Sequence, residues 1–324
     1  MLKWLGARVN PASNNASQPL RRKNRSSSTT TLIHVSVRRR FSIPLANGRS
    51  LALGERTLVM GVINVTPDSF SDGGMLADTS AAIDAAMRMV EQGADLIDVG
   101  GESTRPGAQP LSADEERRRV VPVIEALASR VAVPISVDTY RAATADAALA
   151  SGAVVVNDVS GLRYEPALGG VVARRGAAVI LMHTRGRSRD MYAQASYLDV
   201  VGEVLDELRE SVAFATGAGV SADRIMIDPG LGFAKEAPHS YEALARLDEF
   251  NELGRPVVAG PSRKSFLSKP LGGRVAPADL DWATSAAVTA AVLAGAHIVR
   301  VHAVAQMLHV VRVADEIRRY HRLD

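Results

Sequence analysis

The stretch Ile135–Asp158 reads ISVDTYRAATADAALASGAVVVND, and the order of residue types within it decides the fold. A short β-branched run ends in Asp138, an Ala-rich segment of helix length follows, and a second apolar run closes on Asn157 and Asp158. That is the pattern of a strand, a crossover helix and a second strand buried in a parallel sheet. The unit recurs from Leu58 onward. Eight apolar runs are found, at Leu58–Val65, Leu96–Gly100, Ile135–Asp138, Val154–Asp158, Ala178–Met182, Ile225–Asp228, Pro256–Ala259 and Ile298–His302. Eight strands separated by helix-length segments predict an α/β fold of the closed (β/α)8 (TIM) barrel type, since open doubly wound sheets rarely hold eight parallel strands in this length. The helix signals agree. Asp78–Gly93 is predicted as a helix opened by an aspartate cap and stopped at glycine, and Ser112 with Glu115 has capping-box spacing ahead of the next helix. No Gly-x-Gly-x-x-Gly follows the first run, so a dinucleotide-binding fold has no motif here.

Composition narrows the chemistry. The 324 residues are 47% hydrophobic, enough to bury a large core, and the absence of cysteine removes disulfides, thiolate nucleophiles and cysteine-ligated zinc or iron–sulfur centres. Trp282–Val299, uncharged but Ala-rich and interrupted by Thr284, Ser285, Thr289, Gly295 and His297, does not read as a membrane span, and no membrane partner is expected. Residues 1–54 hold ten of the 38 Lys and Arg and none of the 35 Asp and Glu, so the rest of the chain is net acidic. Rich in Ser, Thr, Asn and Arg, this stretch is expected to be an unstructured basic extension, with a catalytic domain over 55–324. A start assigned too far upstream, an organellar transit peptide and a nucleic-acid-binding arm are its other readings. No compact apolar segment marks a secretory signal, and no interleaved aromatics favour nucleic acid, which is not an expected partner. The length is expected to leave no room for a further fused domain.

In a barrel of this type the C-terminal strand ends share one mouth, where the active site lies. Here they are polar: Asn64 after the first run, Asp138 after the third, Asn157 and Asp158 after the fourth, and Asp228 after the sixth. Ser262-Arg263-Lys264 follows the seventh run, and Arg300 and His302 end the eighth. A single strand-end carboxylate commonly caps the next helix, and the repetition is what points to a site. Asp138, Asn157 and Asp228 are suited to accept hydrogen bonds from the ring amine and ring N–H of a flat, guanine-like heterocycle. Lys264, Arg300 and His302 follow strands seven and eight, where phosphate commonly binds in such barrels. Together they describe a phosphorylated heterocycle, although Lys264 and Arg300 also suit ion pairs with the same aspartates. Two Gly- and Pro-containing loops, Asn64–Gly74 and Gly100–Ala108, are long enough to be functional, and Asp72 and Arg105 are placed to pair if both close.

The ordered motifs resemble those of the dihydropteroate synthase family, the pterin-binding barrels that sulfonamides target. They are MGVINVTPDSFSDGG (Met60–Gly74), DVGGESTRPGA (Asp98–Ala108), SVDT (Ser136–Thr139), NDVSG (Asn157–Gly161), LMH (Leu181–His183), IDPGLGFAK (Ile227–Lys235), SRKSFL (Ser262–Leu267) and RVH (Arg300–His302). The resemblance implies condensation of 6-hydroxymethyl-7,8-dihydropterin diphosphate with p-aminobenzoate to give 7,8-dihydropteroate and diphosphate, assisted by Mg2+. It places Asp138, Asn157, Asp228 and Lys264 on the pterin, Asn64 beside the metal, and Thr104, Arg300 and His302 on the phosphates. The p-aminobenzoate pocket then falls to Phe70, Thr104, Arg105, Pro106, Phe233, Lys264 and Ser262. Asp138, Asp228, Lys264 and Arg300 are the implied catalytic group, and Asp72 joins the substrate-binding loops. A homodimer through helices near the C-terminus and a cytoplasmic location are further implications.

Departures from the family pattern are Ala303 and Pro261, neither at a core ligand position, and Thr184, whose expected effect is on packing at the pterin edge. The ordinary form of Phe70, Pro106, Ser262 and the SRK segment implies ordinary sulfonamide sensitivity. A methyltransferase of the same barrel family, acting on methyltetrahydrofolate, has no need of the SRK and RVH cations or the ESTRP loop. A non-catalytic barrel predicts their loss, and all are present.

Overall fold

The computed structural model of the chain describes residues 35–65, 74–103, 107, 111–273 and 275–320. Two short antiparallel strands, β1 (Phe41–Pro44) and β2 (Ser50–Leu53), form a hairpin, and eight parallel strands follow. These are β3 (Leu58–Asn64), β4 (Leu96–Gly100), β5 (Ile135–Asp138), β6 (Val155–Asp158), β7 (Ala178–Met182), β8 (Ile225–Asp228), β9 (Val258–Ala259) and β10 (Ile298–Val301). The helices between and after them are α1 (Gly74–Glu91), α2 (Ala113–Ala128), α3 (Ala142–Ala150), α4 (Ala167–Arg175), α5 (Val200–Gly217), α6 (Ala237–Ala245), α7 (Pro277–Leu293) and α8 (Val304–Tyr320). Hydrogen bonding runs β8-β7-β6-β5-β4-β3-β10-β9, and a parallel bridge between Ile227 and Val257 closes the ring. The eight runs read from the sequence are the eight barrel strands, with β9 shorter than expected.

Parity along each strand sorts the side chains. Met60, Leu96, Val155, Ala178, Ile180, Met226, Val258 and Ile298 form one buried cluster inside the ring. Their neighbours Val59, Ile97, Val156, Val179, Leu181, Ile227 and Val299 pack with the helices in a second. Two residues beyond the interior apolar position the strands turn polar: Asp98 after Leu96, Asn157 after Val155, Asp228 after Met226 and Arg300 after Ile298. Hydrocarbon thus fills the lower barrel and charge is confined to its C-terminal mouth. The register sets Gly100 beside Asp138 and Asp138 beside Asn157, so the mouth residues of three adjacent strands share one level.

Two expectations are corrected. Residues 35–54 are not an unstructured extension. Their alternation buries Ile43, Leu51 and Leu53 in the inner barrel cluster, a signal masked by the surrounding Arg and Ser. Arg38 ties the same segment to Asp315 of α8 at 3.0 Å and to Thr57 at 2.7 Å, while Arg318 donates to the Ser36 carbonyl at 2.7 Å. Helix α1 begins at Gly74, so Asp78 lies inside it and is not its cap. The Ser112 cap is present, its hydroxyl accepting the Glu115 N–H at 3.2 Å. Among the described residues no helix is long and apolar enough to cross a membrane.

Ile43, only 1% exposed, plugs the N-terminal end of the barrel. Ile43→Ala is expected to lower the unfolding free energy by about 2–5 kcal/mol, read as an earlier denaturant midpoint. An unchanged midpoint is the result that would exclude the hairpin from the core.

Candidate active site

Asp138, Asn157, Asp228, Lys264 and Arg300 line one cavity at the C-terminal mouth, with Val159, Met182, Leu231, Phe233 and Gly260. Each polar member stands on a strand end or on the turn that follows. Asp228 is fixed by the backbone, its Oδ1 accepting the Gly230 N–H at 2.7 Å. Gly230 has φ +70°, and a Cβ there would collide with the His183 carbonyl, so this turn requires glycine. Lys264 stands 3.8 Å above the centroid of the Phe233 ring, a cation–π contact that holds the ammonium over an apolar wall. Arg263 turns the other way. At φ +55° its guanidinium pairs with Asp281 through two contacts of 2.8 Å, and this local twist leaves Lys264 facing the cavity.

Arg300 joins the acidic side. Its Nε donates to Asp98 Oδ2 and its Nη2 to Asp138 Oδ2, each at 2.6 Å. The ion-pair alternative read from the sequence is therefore realised for Arg300. Asn157 Nδ2 donates to the same Asp98 Oδ2 at 3.0 Å. Asp98 had no assigned role in the sequence reading, although its place two residues after Leu96 puts it on the interior face. Asp158, counted there among the polar strand ends, has the opposite parity. It accepts from the Ser160 N–H, the Ser160 hydroxyl and the Leu162 N–H, and so shapes the turn after β6.

Ser262 and His302 meet at the rim. The Ser262 Oγ accepts the His302 backbone N–H at 3.2 Å and lies 2.9 Å from His302 Nδ1, so it holds both the backbone and the ring of His302 in place. Asn64 ends β3, half-buried and paired in register with Gly100. Phe70, Asp72, Thr104, Arg105 and Pro106 lie outside the described residues. The stem of the second loop is described: Glu102 accepts from the Tyr140 hydroxyl at 3.0 Å and pairs with Arg141 at 2.7 Å.

A second buried network backs the cavity. The Lys235 ammonium meets His183 Nδ1 at 2.8 Å and the carbonyls of Phe233 and Gly230 at 3.2 and 3.3 Å, which uses all three of its protons. His183 Nε2 lies 3.1 Å from Glu207. Burial pushes His183 down to about 3, so the imidazole is neutral, donating to Glu207 and accepting from Lys235. The motifs LMH, which ends in His183, and IDPGLGFAK, which ends in Lys235, hinted at this group, but Glu207 lies in neither and is distant from Lys235 in sequence.

Desolvation dominates the site's electrostatics. It pushes Asp228 up to about 6, against the Gly230 N–H and the cations Lys264 and Arg300, and raises Asp138 despite its pair with Arg300. It lowers Lys264 to about 7, with Arg300 adding repulsion, and His302 to about 3. The cavity is thus a slot with apolar walls, acceptors on one edge and cations on the other, suited to a flat, donor-rich ring that carries anionic substituents. Among the described residues no group of three or more His, Cys, Asp or Glu could hold a metal ion. The Asn64 amide oxygen is a hard neutral donor, which fits a cation such as Mg2+ held chiefly by substrate oxygens.

Comparison with known proteins agrees with this geometry. The family model described as pterin binding enzyme matches residues 60–302. A dihydropteroate synthase of Synechocystis is 45% identical over 280 residues, which cover 86% of this chain and 96% of the relative. That of Escherichia coli K12 is 42% identical over 270 residues, covering 83% and 94%. The solved structure of Xanthomonas albilineans dihydropteroate synthase in complex with 7,8-dihydropteroate superposes with a TM-score of 0.76 at 40% identity, covering 86% of this chain and 98% of that one. Because the match runs from the first barrel strand to the last and takes in the whole mouth, the chain belongs to the pterin-binding enzyme family, among the dihydropteroate synthases.

Proposed function

We propose that the chain condenses 6-hydroxymethyl-7,8-dihydropterin diphosphate with p-aminobenzoate, forming 7,8-dihydropteroate and diphosphate. The observation that carries this reading is the convergence of Asp138, Asn157, Asp228, Lys264 and Arg300 on one slot with apolar walls. In this reading the acceptors Asp138, Asn157 and Asp228 take the ring amine and ring N–H, and Lys264 donates to the ring's opposite edge. Arg300 and His302 face the phosphates, together with Thr104 of the second loop. Asn64 and the diphosphate oxygens would hold Mg2+, which when bound neutralises charge on the leaving group.

As the C–O bond to diphosphate breaks, positive charge develops on the methylene and spreads into the electron-rich dihydropterin. The Asp228 carboxylate against the ring stabilises that charge, while the cations stabilise the departing anion. The arylamine is neutral at pH 7, and so the protein's task is to hold it in line with the methylene, not to remove a proton first. Phe233, Lys264 and Ser262 supply the described part of its pocket, and Phe70, Asp72, Arg105 and Pro106 complete it from the loops.

Helices α7 and α8 support a homodimer. They pack together, and Trp282, Val313, Ile317 and Tyr320 on them are 79%, 63%, 44% and 80% exposed, the last three following an i, i+4, i+7 face of α8. Sedimentation of the purified chain at micromolar concentration is expected to give twice the monomer mass, and a monomer would exclude this assignment. We place the enzyme in the cytoplasm, where its phosphorylated substrate is retained.

Two measurements test the chemistry. Purified protein given both substrates is expected to form dihydropteroate only with Mg2+, and Lys264→Ala to lower the rate by about two orders of magnitude or more. Ring binding without product would leave the pocket correctly read and the reaction wrong. As a carboxylate Asp228 offers Oδ2 to the ring as an acceptor while Oδ1 holds the Gly230 N–H, whereas protonation turns one of its oxygens into a donor, and burial raises its pKa to about 6. Affinity for the pterin ring is therefore expected to be full above pH 7 and to fall as pH drops through 6. Asp228→Asn is expected to bind more weakly and to lose that acid limb, and an unchanged limb would assign it to another group.

A further inference from the structure

We infer that Asp98 is a positioning residue for ring recognition: it fixes which way the Asn157 amide faces, so that the carbonyl oxygen is turned away from Asp98 and offered to the cavity. The inference rests on the pterin-binding reading of the site and assigns a role to a residue outside the acceptor set. Asp98 is fully buried on the interior face of β4. One oxygen does all its work, because Oδ2 receives both Asn157 Nδ2 at 3.0 Å and Arg300 Nε at 2.6 Å, whereas Oδ1 is buried without a hydrogen-bond partner.

A carboxylate paired with a guanidinium offers only acceptors, and so a primary amide beside it can meet it only through its NH2 group. The opposite amide orientation would set two oxygens against each other in a dry site, which is strongly disfavoured. Asn157 itself is 4% exposed and lines the slot, so with one Nδ2 proton committed to Asp98 the amide is locked with its Oδ1 on the side open to a ligand. The slot then offers acceptor oxygens at Asp138, Asn157 and Asp228, and a ring that presents a donor to the Asn157 oxygen is preferred over one that presents an acceptor there. Arg300 completes the device by balancing the Asp98 charge from the barrel side.

The test is a reciprocal exchange read by calorimetry with 6-hydroxymethylpterin, which probes the ring without the phosphates. Asn157→Asp keeps an oxygen facing the cavity, but sets a second carboxylate against Asp98. It is expected to bind the ring about 10- to 100-fold more weakly than wild type. In the double variant Asp98→Asn with Asn157→Asp, the amide at 98 donates to the carboxylate at 157, and most of the affinity is expected to return. Thermal melts of all three proteins establish that the comparison is between folded states. Wild-type affinity in Asn157→Asp, or no recovery in a folded double variant, overturns the role of Asp98. Failure of the wild-type protein to bind the pterin at all overturns instead the reading of the slot, and the two failures are separately visible.

Discussion

A guanidinium held between two carboxylates at the top of a hydrocarbon-filled barrel is the constraint around which this molecule is organised. Arg300 contacts Asp98 and Asp138 at 2.6 Å each, above a buried cluster of apolar side chains. Charges of this kind are tolerated in a protein interior only when paired and hydrogen-bonded. The ring of parallel strands meets that requirement because its closure through β10 and β3 brings the last strand's arginine within reach of the second and third strands' acids. Loss of closure would strand all three groups. The polar mouth and the apolar barrel are therefore a single arrangement, in which strand parity decides which residue faces which environment.

The turns at the mouth carry the cost of that arrangement. Among the described residues three non-glycine positions have positive φ, namely Leu162 at 67°, Ala234 at 47° and Arg263 at 55°. Each follows a strand of the barrel: Leu162 comes directly after the segment NDVSG, and Ala234 and Arg263 lie in IDPGLGFAK and SRK. Such backbone is unfavourable by about 1–3 kcal/mol per residue and persists where surrounding contacts over-determine it. For Ala234 those contacts are the carbonyls of residues 230 and 233 on the Lys235 ammonium, and for Arg263 they are Asp281 and the Thr284 hydroxyl. The strain aims Phe233 and Lys264 at one another.

Much of this was legible in the sequence, for a physical reason. Parallel barrel strands are short, buried and β-branched, and the polar residue ending each run marks the mouth, so Asp138, Asn157, Asp228, Lys264 and Arg300 could be grouped before any coordinates. What escaped was partnership across strands. Asp98 precedes a Val-Gly-Gly segment and reads as an ordinary strand residue until its inward parity is counted, while Asp158 reads as a site residue until its outward parity is. Lys235, His183 and Glu207 lie on three separate elements, and nothing local announces their contact. The hairpin of β1 and β2 was hidden by composition, since Ile43, Leu45, Leu51 and Leu53 are a weak signal inside a segment dominated by Arg and Ser.

That hairpin also bears on the order in which the molecule can be made. Its segment is pinned by Asp315 and Arg318 of α8, and β3 finds one of its two neighbours only in β10. The first described residues to leave the ribosome thus find their partners among the last. Pairings so distant in sequence slow folding and prolong exposure of unpaired strand edges. Until α8 is synthesised, the nascent chain holds an open sheet with an uncovered floor, so partly synthesised chains are the species most in need of protection by chaperones.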